Sequence, residues 1–216
     1  MFAPVTVVEP ALAVGLLLLF WIGSRMLSEQ VRVGDLGAGV AIILGVVGIS
    51  ATAPARSGAY QSDKSSIIVL VVLGFLAAAP LLLRWVRSVN QAGYLAALGA
   101  GFALGFATLM TKFLADDFLS KDWDTLGIWA GLAVVGGALS LLSETTALRT
   151  RPATRVAPIV FVLQVLVPVV LAPFLVDERW SPDALTACAL CVSLALVVLG
   201  GAVLARSPSV GDLMHS

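Results

Sequence analysis

Hydrophobic positions in this chain neither alternate nor follow a single helical stripe; they fill whole stretches of sequence. Seven such runs lie at 4 to 26, 34 to 53, 67 to 86, 93 to 115, 126 to 147, 156 to 176 and 184 to 205. Each is long enough to cross about 30 Å of hydrocarbon as a helix rising about 1.5 Å per residue. Segments such as AVGLLLLFWIG and VLVPVVLAPFLV are apolar on every face, whereas a membrane β-barrel shows alternating segments of about ten residues. The pattern predicts an all-α polytopic membrane protein of about seven transmembrane helices.

Two of the runs are copies. VTVVEPALAVGLLLLFWIGSRMLSEQ near the start answers to TRVAPIVFVLQVLVPVVLAPFLVDER near the end. In each, an apolar helix closes on a charged elbow, at Glu29 and at Glu178, and a second apolar helix follows. The second copy begins five helices after the first, and an odd offset turns one copy upside down relative to the other. Repetition of this kind predicts a transporter built from inverted halves, with its site between them and alternating access by exchange of their conformations.

Composition narrows the class. Of 216 residues, 59% are hydrophobic and 12% charged, with a mean hydropathy of +1.02; soluble domains carry about 25% charged residues. One helical membrane domain is expected. Arg25, Arg32, Arg84, Arg87, Arg149, Arg151, Arg155 and Arg206 share one side, while Arg56, Lys64, Lys112, Lys121 and Arg179 lie on the other. That excess predicts a multi-pass protein of the cell membrane with a cytoplasmic C-terminus and an exterior N-terminus. The first run has no basic segment ahead of it and exceeds a signal-peptide core in length.

The order FAPVTVVEPALA, LSEQ, LGAGVAIILGVVG and ATAP, followed by GAGFALGFATLMTKFLADD, SETTAL, RVAPIVFVLQ and VDERW, resembles the drug/metabolite transporter superfamily. The closer likeness is to its EamA-like, NIPA-type branch of magnesium-transporter-like proteins. It covers nearly the whole chain. The resemblance implies a ten-helix fold of two inverted halves, of which this chain is a partial repeat. Residues 1–54 would be the last two helices of a first half, 55–66 an exterior linker, 67–206 a five-helix second half and 207–216 a cytoplasmic tail. About three helices ahead of FAPVTVVEP are then missing, and a homodimer or a separate partner would supply that wall. The implied activity is movement of a small solute or a divalent cation, Mg2+ among them, through a central cavity. A non-transporting truncated fragment or an assembly subunit of a membrane complex is the alternative.

Ionisable groups at membrane depth are expensive and mark candidate sites. Glu9 stands beside Pro10, which loosens backbone one turn back; it either lines a cation or proton site or reaches exterior water. Lys112 follows Thr111 near the end of the fourth run, where the family pattern also has a lysine. It either pairs with Glu9 at the cavity rim or snorkels to the interface. Glu144 sits in the most polar helical segment, with a charge pair to Arg149 as its structural explanation. Gln164 lies about 12 Å into its helix, where an unpaired amide is costly, so it must face the bundle. Thr108 and Thr111 either line a cavity or bond back to their own helix. The candidate cavity set is therefore Glu9, Thr111, Lys112, Glu144 and Gln164.

Glycines suggest packing. Gly101 and Gly105, extended by Gly99, form one close-approach face, and Gly131, Gly136 and Gly137 another; with no strand before them the first set is not a nucleotide fingerprint. Pro158, Pro168 and Pro173 are kinks or points where backbone opens to a cavity. Cys188 and Cys191 have CxxC spacing, but a structural zinc needs four ligands, so buried apolar packing is expected. DDFLSKDWD has an acid-rich look without a second such segment, and reads as a solvated loop. No nucleophile, base and acid converge, so the chain is not expected to be an enzyme. Neither a cofactor nor a nucleic-acid partner is expected, and the surrounding lipid bilayer is the one certain contact.

Overall fold

The computed structural model describes residues 33–52, 64–83, 89–121, 123–175 and 183–206. The first run, with Glu9, the elbow residues Glu29 and Glu178, and the tail 207–216 lie outside the described residues. Among these, six helices form: α1 Val33–Thr52, α2 Lys64–Leu83, α3 Val89–Ser120, α4 Trp123–Leu148, α5 Ala153–Leu175 and α6 Ala184–Arg206. Each coincides with a predicted run to within a few residues, except at the ends of α3.

Four helices hold segments long and apolar enough to cross a membrane: Gly93–Ser120, Trp123–Leu148, Arg155–Ala172 and Ala184–Arg206. The apolar stretches Leu36–Thr52 and Ile67–Pro80 of α1 and α2 are shorter. This is the architecture of a helical membrane protein. α3 outruns its apolar run at both ends because a helix continues as long as its backbone bonds do, while the run marks only what hydrocarbon tolerates. DDFLSKDWD is therefore not a loop: α3 persists to Ser120, and the connection to α4 turns on Lys121, which adopts a left-handed φ of 61°. That is the conformation that ends many helices, although glycine is its usual occupant.

The helices fall into two compact units. The first contains α1, α6 and the opening turn of α5; the second contains α2, α3, α4 and the remainder of α5. In the first, α1 buries Ala38, Ile42, Val46 and Ile49 along one stripe, and α6 buries Ser193, Val197, Gly200, Gly201 and Leu204 along another. Three glycines make the contact. A side chain at Gly45 would meet the Ser193 carbonyl and Val197, one at Gly48 would meet Ser193, and one at Gly200 would meet the Ala38 carbonyl and Ile42. Low numbers on α1 thus face high numbers on α6, so the two helices run antiparallel. Between helices in lipid there is no hydrophobic driving force, and close backbone approach through small residues supplies dispersion contact instead.

In the second unit α3 is the central helix: 67% of its span is buried, against 17% for the span of α4. Its small residues are used on three sides. Gly99 receives Pro80 of α2, Gly101 and Gly105 receive Leu163 and Val167 of α5, and Ala103, Phe106 and Ala107 meet Gly136 of α4. The stripe Gly99, Gly101 and Gly105 is therefore shared between two partners. Among the described residues only Gly136 of the predicted α4 face makes such a contact, and Gly131 and Gly137 meet none of them within 4 Å, since five and one residues along a helix turn them about 140° and 100° away. Beyond the small residues lies a core of Leu73, Phe106, Leu109, Met110, Phe113, Trp129, Val167, Ala172 and Leu175. Phe113 and Trp129 meet edge to face with centroids 5.1 Å apart, a favourable arrangement for two aromatic quadrupoles.

α5 stays helical through Pro158 and Pro168. Cys188 and Cys191 are exposed on α6, contrary to the expected burial: the buried stripe of α6 starts at Ser193, and both cysteines lie off it.

Candidate functional site

The polar side chains of the second unit sit at three levels along α3. Contacts set the levels: α4 runs antiparallel to α3, with the Ser140 hydroxyl donating to the Ala100 carbonyl at 3.0 Å, and α5 runs parallel, with Leu163 on Gly101 and Val167 on Gly105. Glu144, one turn beyond Ser140, lies near the level of Ala96. Gln164 lies near Phe102, and Thr111 and Lys112 occupy the far end. Glu144 and Lys112 are thus separated by roughly 24 Å along the axis. The structure does not gather the four described candidates into one constellation.

Gln164 holds the most interior position of them. It shares a helix face with the buried Val160 and Val167, three and four residues away, and is itself half-buried. The face is the one that packs on α3, as the cost of an amide in lipid requires. Its level is close to the middle of the Gly93–Ser120 span.

Thr111 uses its hydroxyl locally, donating to the Ala107 carbonyl at 2.8 Å, and Thr108 does the same to Leu104 at 2.9 Å. Lys112 keeps its ammonium covered. Its Nζ has no exposed surface and lies 3.7 Å from Asp116 Oδ2, one turn on. The pairing with Glu9 lies outside the described residues. An ammonium held away from water associates with the nearest carboxylate because desolvating it alone costs several kcal/mol. Asp116 is the polar partner of Lys112 at this end of α3, and the i, i+4 spacing of the two in the sequence is the signal that announces it. Next to it Asp117 accepts a hydrogen bond from the Thr125 hydroxyl of α4, which ties the two helices at the turn. Phe118 and Trp123 stack edge to face there, 6.0 Å apart.

Glu144 is half-buried and forms no ion pair with Arg149. A separation of five residues puts them about 140° apart around α4, outside the i+3 and i+4 neighbours that meet. The neighbouring Thr145 and Thr146 hydroxyls bond back to Leu142. Ser143 is fully buried, and its hydroxyl has no hydrogen-bond partner among the described residues. At this end of the hairpin the chain leaves α4 and folds back on α3: Thr150 packs against Gly93, and the Arg151 guanidinium lies 4.1 Å above the Tyr94 ring.

Among the described residues no three His, Cys, Asp or Glu side chains gather as a set that would hold a metal ion. The chain matches no family model, no curated protein and no solved structure.

Proposed function

We propose that the chain is a transporter of the drug/metabolite type, moving a small solute or a divalent cation by alternating access between inverted repeats, with its C-terminus in the cytoplasm. The observation that carries the reading is the antiparallel, glycine-lined contact of α1 with α6. These are the second helices of the two sequence copies, and an inverted repeat requires such a pair to run in opposite directions. Gly45 is seated between Ser193 and Val197, the interval that contains Leu194, its counterpart in the register relating Glu29 to Glu178. Gln164, half-buried near mid-depth, is the residue best placed to touch a solute, since transporter sites lie near the bilayer midplane.

A second reading is supported by the spread of Glu144, Gln164 and Lys112 over three levels: a membrane subunit that scaffolds a complex and moves nothing. Uptake into proteoliposomes separates them, with Mg2+ and with a proton gradient as the two drives. The transporter reading expects uptake above empty vesicles that Gln164→Leu and Glu9→Gln reduce at least tenfold. Thr111→Val leaves it unchanged, because that hydroxyl is already committed to Ala107. Absence of uptake under both drives supports the scaffold.

A further inference from the structure

We infer that the site at Gln164 takes an uncharged solute presenting a hydrogen-bond donor beside an acceptor, such as a primary amide or a pyrimidine edge, and not a divalent cation. This deepens the transporter reading and rests on it. On α5, Val160, Gln164, Val167, Leu171 and Leu175 follow one another at intervals of three or four residues, which places them on one helix face. Val160, Val167 and Leu175 are 5%, 7% and 0% exposed, and Leu171 packs on the core cluster. Gln164 is the polar member of this inward stripe, and it is only half-buried. The packing therefore loosens at the position where an amide points inward. Among the described residues that amide makes no hydrogen bond, so both its donor and its acceptor are open to a solute. Phe102, at the same level of α3, is likewise half-buried and packs on the same cluster.

Charge is kept away from this level. Residues 65–83 of α2, 89–111 of α3 and 156–175 of α5 contain no Asp, Glu, Lys or Arg. Lys112 stands about 15 Å along the axis from Gln164 and Asp116 farther still. Leu109, Phe113 and Leu175 are packed at that end, each 2% exposed or less. Glu144 belongs to α4, which meets α3 through Ala100 and Ala103 and not through the Gly101 and Gly105 face that receives α5. Its level is about 9 Å from that of Gln164. Magnesium wants carboxylates and waters around a near-octahedral ion, and an anion brought here would give up its hydration without a counter-charge. An uncharged donor–acceptor edge loses least, because the Gln164 amide replaces the water that it leaves behind.

The test is equilibrium dialysis of radiolabelled nicotinamide against the full chain in a neutral detergent, with uracil, nicotinate and Mg2+ as competitors. Nicotinamide is expected to bind saturably and to be displaced by uracil. Nicotinate, the same ring with a carboxylate, and Mg2+ should compete at least about tenfold less well. Gln164→Leu continues the apolar stripe and should weaken nicotinamide binding at least about tenfold. Thr108→Val, whose hydroxyl is already given to the Leu104 carbonyl, should leave it unchanged. Absence of saturable binding by wild type, or competition by Mg2+ or nicotinate equal to that by uracil, overturns the inference, and neither arm needs a variant to fold. Binding that Gln164→Leu leaves intact overturns it as well. Uptake into proteoliposomes keeps the two readings apart. Nicotinamide bound through Gln164 but not taken up supports the site and removes transport, whereas Mg2+ uptake without nicotinamide binding keeps the transporter and overturns the solute class.

Discussion

The two units solve the same problem with the same residue and differ in what the glycine touches. In α1·α6, Gly45 and Gly200 face backbone: a Cβ would come within 2.6 Å of the Ser193 carbonyl and 2.7 Å of the Ala38 carbonyl. In α3, Gly101 and Gly105 face the side chains of Leu163 and Val167. No rotamer change relieves either joint, since the nearest atoms at Gly101 and Gly105 are the Cβ atoms of Leu163 and Val167, at 2.6 Å and 2.8 Å, but a Cβ can be removed by substitution and a backbone carbonyl cannot. The α1·α6 contact is consequently the joint that no truncation of a partner side chain relieves, and α3·α5 the one that truncation to glycine does.

The largest expected effect breaks this contrast where it is strongest. Gly45→Ala should lower stability by about 3 kcal/mol, at the upper end of overpacking penalties, and Val197→Ala should not rescue it, because the Ser193 carbonyl remains. Gly101→Ala should cost about 1–2 kcal/mol, and that clash should be relieved by Leu163→Gly, which takes away the Cβ it would meet at 2.6 Å. Gly131→Ala, with open space around it, should be neutral or slightly stabilising. Thermal unfolding in detergent compares all five, and equal rescue at both joints would erase the distinction.

Next in size is the α3 terminus. Lys112→Met strands the Asp116 carboxylate and should cost about 1–2 kcal/mol, reduced from the fully buried case because both side chains keep some exposure. Combining it with Asp116→Asn should recover most of that loss. A double variant as unstable as the sum of the singles would show that the two groups act separately.

The smallest effect compares two serines one turn apart on α4. Ser140→Ala removes the bond to the Ala100 carbonyl and should cost about 0.6 kcal/mol, the mean for such interhelical bonds in lipid. Ser143→Ala removes a buried hydroxyl that bonds to nothing and should be neutral or stabilising. Equal losses at both positions would mean that Ser143 has a partner after all.

These differences mark what the sequence could and could not convey. Helix positions were legible because a run of about 20 apolar residues has one solution in lipid, in which every backbone group is satisfied within the helix. The buried faces were not, because helices apolar all round carry no periodicity to read; Ile42 is fully buried and Leu44 is 58% exposed with equal hydrophobicity. Small residues carried that information in part: Gly101 and Gly105 announced a close approach, but nothing local named α5 as the partner or separated Gly136 from Gly137. Gln164 is half-buried, in keeping with the cost of an unpaired amide in lipid. The Lys112–Asp116 pair was hidden because the apolar run ends at 115, whereas the helix continues past Asp116 and holds the carboxylate one turn from the ammonium.

Cross-linking α1 to α6 tests the central claim, that repeat-equivalent helices pack antiparallel, most directly. In a background with Cys188→Ser and Cys191→Ser, Gly48→Cys with Ser193→Cys should form a disulfide in the membrane, since the two Cβ positions lie 3.1 Å apart, a few tenths of an ångström short of the usual spacing of about 3.5–4.5 Å. Ala38→Cys with Ala187→Cys, neighbours only if the helices ran parallel, should stay reduced under the same oxidant. Cross-linking of the second pair without the first would contradict both the α1·α6 packing and the inverted repeat proposed from it.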